Sequence, residues 1–202
     1  MADYKYEVQK LYVAYFSRPA DAAGLEYWAN ILATNPNGYQ TISANFSASA
    51  EYRATYGGMD NRAVVSEVYE NLFGRAAEAA GVNYWANLLD QKAITIDNVV
   101  TQIAAGAQGS DLVAYNGKVS VSNAFTQRLD LPQEKTAYSG AAANQIAIEF
   151  IAGVKDLSSG AAAMDAGVID SVIEKIVALP PAGFGEETVG LVGVPEMPPM
   201  YG

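Results

Sequence analysis

Residues 8–33 read VQKLYVAYFSRPADAAGLEYWANILA, and residues 65–90 read VSEVYENLFGRAAEAAGVNYWANLLD. The second block follows the first at a shift of 57 positions without a gap, and 13 of the 26 aligned positions are identical. Both tryptophans of the chain, Trp28 and Trp85, fall at equivalent points. A repeat at this spacing means a supersecondary unit used twice, which restricts architecture more than chemistry. It also predicts two similar surface sites rather than one active centre.

The repeated block is helical in its periodicity. Val8, Leu11, Tyr12, Tyr15 and Phe16 follow the i, i+3, i+4, i+7, i+8 spacing of one helix face. Pro19 and Asp21 mark a corner, and Asp21 stands where an N-cap belongs before a second helix through Leu25, Trp28, Ile31 and Leu32. A turn at Asn35-Pro36-Asn37-Gly38 precedes a third helix around Ile42–Phe46. A short fourth follows over Ser49–Tyr56, and Gly57-Gly58 breaks the chain. The second unit repeats the plan with Val64–Phe73, a corner at Gly74-Arg75, Ala79–Leu89, and Thr95–Ala104 beginning at a Thr or Asp cap.

Gly106–Gly117 reads as a Gly-rich loop, and Val119–Leu129, Asn144–Val154 and Ala166–Val177 as three more helices. No stretch sustains the period-2 alternation of strands. The expected fold is all-α with eight to ten helices. It comprises a first helical repeat unit (1–57), a second (58–117), a C-terminal helical segment (118–178) and an extended Pro/Gly-rich tail (179–202). That tail, LPPAGFGEETVGLVGVPEMPPMYG, has no helical period. Its apolar residues Phe184, Leu191, Val194, Met197, Met200 and Tyr201 suit docking as an extended peptide, on their own domain or on a neighbouring subunit.

Composition removes whole classes of function. Cysteine and histidine are both absent, so structural zinc sites, thiol redox chemistry and the Ser-His-Asp and Cys-His nucleophilic systems all lack parts. The net charge of −10 and scattered basic residues argue against nucleic acid or an anionic membrane as partner. No run approaches the roughly 20 apolar residues of a membrane span. The first residues lack the basic and apolar regions of a cleaved signal peptide, so export, where it occurs, is expected to use a route that reads none.

The core of the repeat is Arg18-x-Ala20-x-Ala22-Ala23-Gly24-x-x-Tyr27-Trp28-Ala29-Asn30-x-Leu32, matched by Arg75-x-Ala77-x-Ala79-Ala80-Gly81-x-x-Tyr84-Trp85-Ala86-Asn87-x-Leu89. Over residues 6–110 this resembles the DUF4214 family, whose pattern runs roughly Y-x-x-x-x-x-R-x-P-D-x-x-G-x-x-Y-W. An F-x-x-S-x-E-F/Y ending often follows. The first unit has that ending in Phe46-Ser47-Ala48-Ser49-Ala50-Glu51-Tyr52. The second departs: Ala76 replaces the proline, Glu78 the aspartate, and Gly-rich sequence over Ile103–Gly109 the ending. The resemblance implies large bacterial exported proteins, often beside calcium-binding nonapeptide repeats, and surface-layer proteins that attach to lipopolysaccharide. It also implies type I export. No G-G-x-G-x-D repeat is present here, and the family brings no catalytic residues.

The motif residues have two readings. In one, Gly24 and Gly81 permit close backbone packing, and Trp28 and Trp85 fill the helix–helix core. Arg18 and Arg75 then serve last-turn carbonyls or the following Asp21 or Glu78. In the other, Tyr27, Trp28 and Asn30, with Tyr84, Trp85 and Asn87, form aromatic-plus-amide platforms for sugars or an interface. The carboxylates Glu51, Glu67, Glu70, Glu78, Asp90 and Asp97 mark no glycosidase pair. Asp60-Asn61 offers oxygen ligands to calcium without EF-hand spacing, and a solvated turn suits it better. No cofactor is expected.

The functional expectation is a non-enzymatic, exported cell-surface structural protein that self-assembles as a homo-oligomer or polymer, in a layer or filament. A module binding lipopolysaccharide or another cell-surface polysaccharide is the first alternative. An intracellular helical scaffold or linker is the second, since linker proteins of light-harvesting assemblies carry a loosely similar helical motif.

Overall fold

A computed structural model describes residues 3–180, and twelve helices with no strand account for the described residues. In the first unit these are α1 (Tyr4–Phe16), α2 (Ala22–Thr34), α3 (Gly38–Ala48) and α4 (Ala50–Tyr56). The second contributes α5 (Asn61–Phe73), α6 (Ala79–Asp90) and α7 (Val99–Ala105). Then come α8 (Gly109–Arg128), α9 (Pro132–Ala137), α10 (Gly140–Ala152), α11 (Leu157–Ala163) and α12 (Ala166–Val177). The fold is all-α, as periodicity predicts. The tail residues Phe184, Leu191, Val194, Met197, Met200 and Tyr201 lie outside the described residues.

Side-chain caps set half of the described helix starts. Asp21 caps α2 by accepting from the Gly24 N–H at 2.7 Å, and Asp60 does the same for α5 through Ala63 at 2.8 Å. Ser49 caps α4 through the Tyr52 N–H at 3.2 Å. At Glu78, where the first unit has aspartate, no side-chain cap forms; the longer carboxylate turns to Arg75 instead, at 2.8 Å. The end of α1 is left-handed at Ser17, with φ 55°, and the equivalent end of α5 places Gly74 there with φ 67°. Only the second unit uses the residue that takes this conformation without a Cβ clash.

Three expectations about helix placement need correction. The expected start at Thr95 is a turn closed by Thr95 N–H donating to Asn98 Oδ1 at 3.1 Å, so α7 begins at Val99. The loop expected over Gly106–Gly117 is a loop only to Gln108. From Gly109 the chain is helical for 20 residues, and the expected boundary between residues 117 and 118 falls within α8. Gly117 is helical because tertiary packing asks for a small residue there. A Cβ on it would stand 3.1 Å from Val154 Cγ1, and one on Gly160 of α11 would stand 4.0 Å from the Gly117 Cα. The helices thus cross backbone to backbone. Finally, α9 and α11, six and seven residues long, are too short to announce themselves by period.

The long helix α8 organises the molecule, packing against α1, α5, α10, α11 and α12. One large core runs from Val8 to Val119 and joins both repeat units. A second, with Phe125, Leu129, Tyr138, Ala147, Ile169, Ile173 and Ile176, gathers the C-terminal helices around the far end of α8. The C-terminal segment is therefore bound to the repeats through a shared helix. Tyr115 Oη also donates to the Lys10 carbonyl at 3.0 Å.

Candidate functional site

Each copy of the repeat builds the same device at its corner: an arginine forked onto a carboxylate far along the chain. In the first, Arg18 Nε and Nη2 donate to Glu51 Oε1 and Oε2 at 2.6 and 2.8 Å, and Nη1 to its neighbour's carbonyl, Pro19 O, at 3.0 Å. In the second, Arg75 Nε and Nη2 donate to Asp111 Oδ1 and Oδ2, both at 2.7 Å, and Nη1 to Ala76 O at 2.9 Å. This bidentate geometry is the strong form of an ion pair. Asp111 stands in the first turn of α8, inside the stretch expected to be loop. The missing ending of the second unit is thus replaced in space by Gly109-Ser110-Asp111, with the carboxylate one carbon shorter.

The motif tyrosines and glycines explain each other. A Cβ on Gly24 would collide with the Tyr12 hydroxyl oxygen, and one on Gly81 would stand 3.1 Å from the Tyr69 hydroxyl. The glycine makes room for a tyrosine hydroxyl rather than for a backbone, and this corrects the packing expected from sequence. Tyr69 Oη in turn accepts from Trp85 Nε1 at 3.3 Å.

Electrostatics differ sharply between the two corners. The Arg18 side chain is 2% exposed and Arg75 34%. Burial works against the Arg18 charge, but Glu51, helped by Tyr138, more than offsets it and holds the guanidinium above its ordinary pKa. Rings of Tyr12, Phe16 and Tyr138 surround this cation, with centroids 5.4, 5.5 and 5.9 Å away. Arg75 has Tyr69 at 5.4 Å, and its hydrogen bonds to Asp111 raise its pKa.

The difference comes from the C-terminal segment. Tyr138 Oη donates to Pro19 O at 2.7 Å, and Thr126 Oγ1 to Ala20 O at 2.7 Å. Together they close the first corner, leaving Ser17, Arg18 and Ala20 buried. At the second corner Ala76, Glu78, Ala79 and Ala80 are exposed and Ala77 is half-buried.

The residues expected to form two aromatic platforms therefore part company. Trp28 is 1% exposed, packed edge-on to Phe46 with centroids 5.5 Å apart; Tyr27 is half-buried and Asn30 exposed at its rim. The Trp28 ring offers no free face, so a sugar platform on it is ruled out. In the second unit Tyr84 is 59% exposed, Asn87 is exposed beside it and Trp85 is half-buried. Among the described residues no group of three or more acidic side chains is placed to hold a metal. Nor is any described helix long and apolar enough to cross a membrane.

Sequence reasoning missed Asp111, Tyr138 and Thr126, which lie far along the chain from the corners they serve. It also missed Lys118, buried in α8, whose Nζ donates to the Asn71 carbonyl in the last turn of α5 at 2.7 Å. Burial, with Lys155 adding to it, pulls its pKa down to about 8.

No curated protein and no solved structure matches the chain. Residues 43–108 match the family described as Domain of unknown function (DUF4214), a span running from α3 through α7. The chain thus carries a DUF4214-type helical domain, with the second corner's arginine and Tyr84-Trp85 pair inside it.

Proposed function

We propose that the protein is a non-enzymatic, exported cell-surface structural protein that assembles with its own copies into a layer or filament. The observation that carries this reading is the uneven burial of two like elements. In the first unit the Arg corner is closed by Tyr138 and Thr126 and Trp28 of the Tyr-Trp helix is buried against Phe46. In the second they stand open, with Tyr84 59% exposed. Exposed aromatic surface is what protein interfaces use, since a rigid ring brings contact area at low entropy cost. The exported setting rests on the family resemblance and awaits cell fractionation. Light scattering across a concentration series, with and without calcium, followed by negative-stain microscopy, tests the assembly. Ordered sheets or fibres are expected, and a monomer throughout would reject it.

A second reading is favoured by Tyr84 and Asn87, exposed three residues apart on one face of α6. An aromatic ring and an amide so placed suit a cell-surface polysaccharide such as lipopolysaccharide. It predicts saturable binding of purified polysaccharide that Tyr84→Ala abolishes, and undiminished binding by that variant would reject this site.

A further inference from the structure

The first corner displays what the second lacks. Its arginine lies under a tyrosine ring, and the carbonyl after that arginine receives the tyrosine hydroxyl. At the second corner, among the described residues, Ala76 O receives only the Arg75 guanidinium. Among the described residues, the one ring over Arg75 is that of Tyr69 in α5.

We infer that the second corner is the docking point for the C-terminal segment of a neighbouring copy, with the Tyr201 ring against Arg75 and its hydroxyl donating to Ala76 O. This deepens the self-assembly reading and rests on it. Two observations select the occupant. The chain continues for 22 residues beyond the described ones, 181–202, which extended would reach roughly 70 Å. Those residues hold a single tyrosine, Tyr201, preceded by Met197 and Met200, which suit the exposed Ala79, Ala80 and Tyr84. They also carry Glu186, Glu187 and Glu196 and no basic residue, so a carboxylate added at the corner would repel them. The segment and its acceptor are different parts of the chain, so the contact is heterologous and propagates into a filament or layer wherever its rotation does not close a ring.

Two full-length variants test this. Ala76→Glu blocks the acceptor with a charge that repels the acidic segment, at an exposed position outside the core; Tyr201→Ser removes the docking group. Circular dichroism checks that both keep wild-type helicity, and Ala76→Ser, which preserves the carbonyl and the space, is expected to assemble normally. By light scattering each blocking variant alone should need at least about tenfold more protein to assemble. Their equimolar mixture should stop at dimers, because only one competent contact remains per pair. If Ala76→Glu assembles like wild type, the corner is not the acceptor, although the tail reading survives to be judged by deleting residues 181–202. If the mixture stays monomeric, the segment docks on its own chain and the inference fails. A wild-type chain that never assembles removes both inference and reading.

Discussion

Replacing Lys118 by methionine should stabilise the protein near neutral pH and lose that advantage in alkali. Lys118 is 1% exposed and its ammonium holds one described hydrogen bond, to Asn71 O at 2.7 Å. Burial is the main cause of its pKa falling from 10.5 to about 8, Lys155 adds to the fall and Glu70 resists it. A base whose folded pKa is depressed stabilises the fold above its unfolded pKa, and that contribution is lost as pH falls through the folded value. Between pH 10.5 and 8 the loss is about 1.4 kcal/mol per unit, or about 3 kcal/mol in all. Methionine keeps the apolar stem and removes the charge, but leaves Asn71 O without its donor, at a cost of about 1 kcal/mol. The net gain at pH 7 is then about 2 kcal/mol. Urea denaturation of both proteins from pH 7 to pH 10 measures the difference, and the tyrosines that titrate in alkali cancel between them. The gap should shrink to about zero by pH 10. A gap constant across this range would show that no proton is being displaced at Lys118.

Other perturbations follow from the same geometry. Glu51→Gln strands a buried guanidinium and should cost about 3–5 kcal/mol. Asp111→Asn, at a corner where Arg75 is 34% exposed and keeps Glu78, should cost about 1 kcal/mol; equal losses in urea would undo the contrast drawn between the corners. Ser17→Gly relieves a left-handed residue and should raise stability by about 1 kcal/mol, read as a higher urea midpoint at unchanged slope. Burial raises the pKa of Tyr12, Tyr15, Tyr52, Tyr115 and Tyr138, and pushes that of Tyr56 up to about 12. Their contribution is intact below pH 10 and lost as pH rises through the folded values. Tyrosinate absorbance and helicity should therefore change together in strong alkali, and buried tyrosines that ionise with helicity intact would contradict this packing.

Much of the local design is legible in the residues. The cap Asp21 acts within three residues of itself, so its effect is written in short-range sequence; Asp60, expected as a solvated turn, caps α5 in the same way. The same holds for the breaks at Gly57-Gly58 and Asn35-Pro36. What escaped is long-range. Gly117 reads as a loop residue, and only the approach of Val154 and Gly160 makes it a helix crossing. Asp111 replaces Glu51 at a slightly different distance along the chain, so alignment alone hides the equivalence that the forked bonds reveal.

By itself the sequence determined the helical class, the twofold use of an Arg-corner unit and the removal of Cys- and His-based chemistry, because period, identity and composition are properties of the chain. Tertiary structure alone decided that the two copies are not equivalent. Tyr138 and Thr126 lie more than a hundred residues from Pro19 and Ala20. They reach that corner because α8 brings the C-terminal helices back across the first unit. At the second, the C-terminal segment lays the Lys155 stem along Gly74, but among the described residues no counterpart of Tyr138 or Thr126 reaches Ala76, so nearly identical residues are buried in one copy and more exposed in the other.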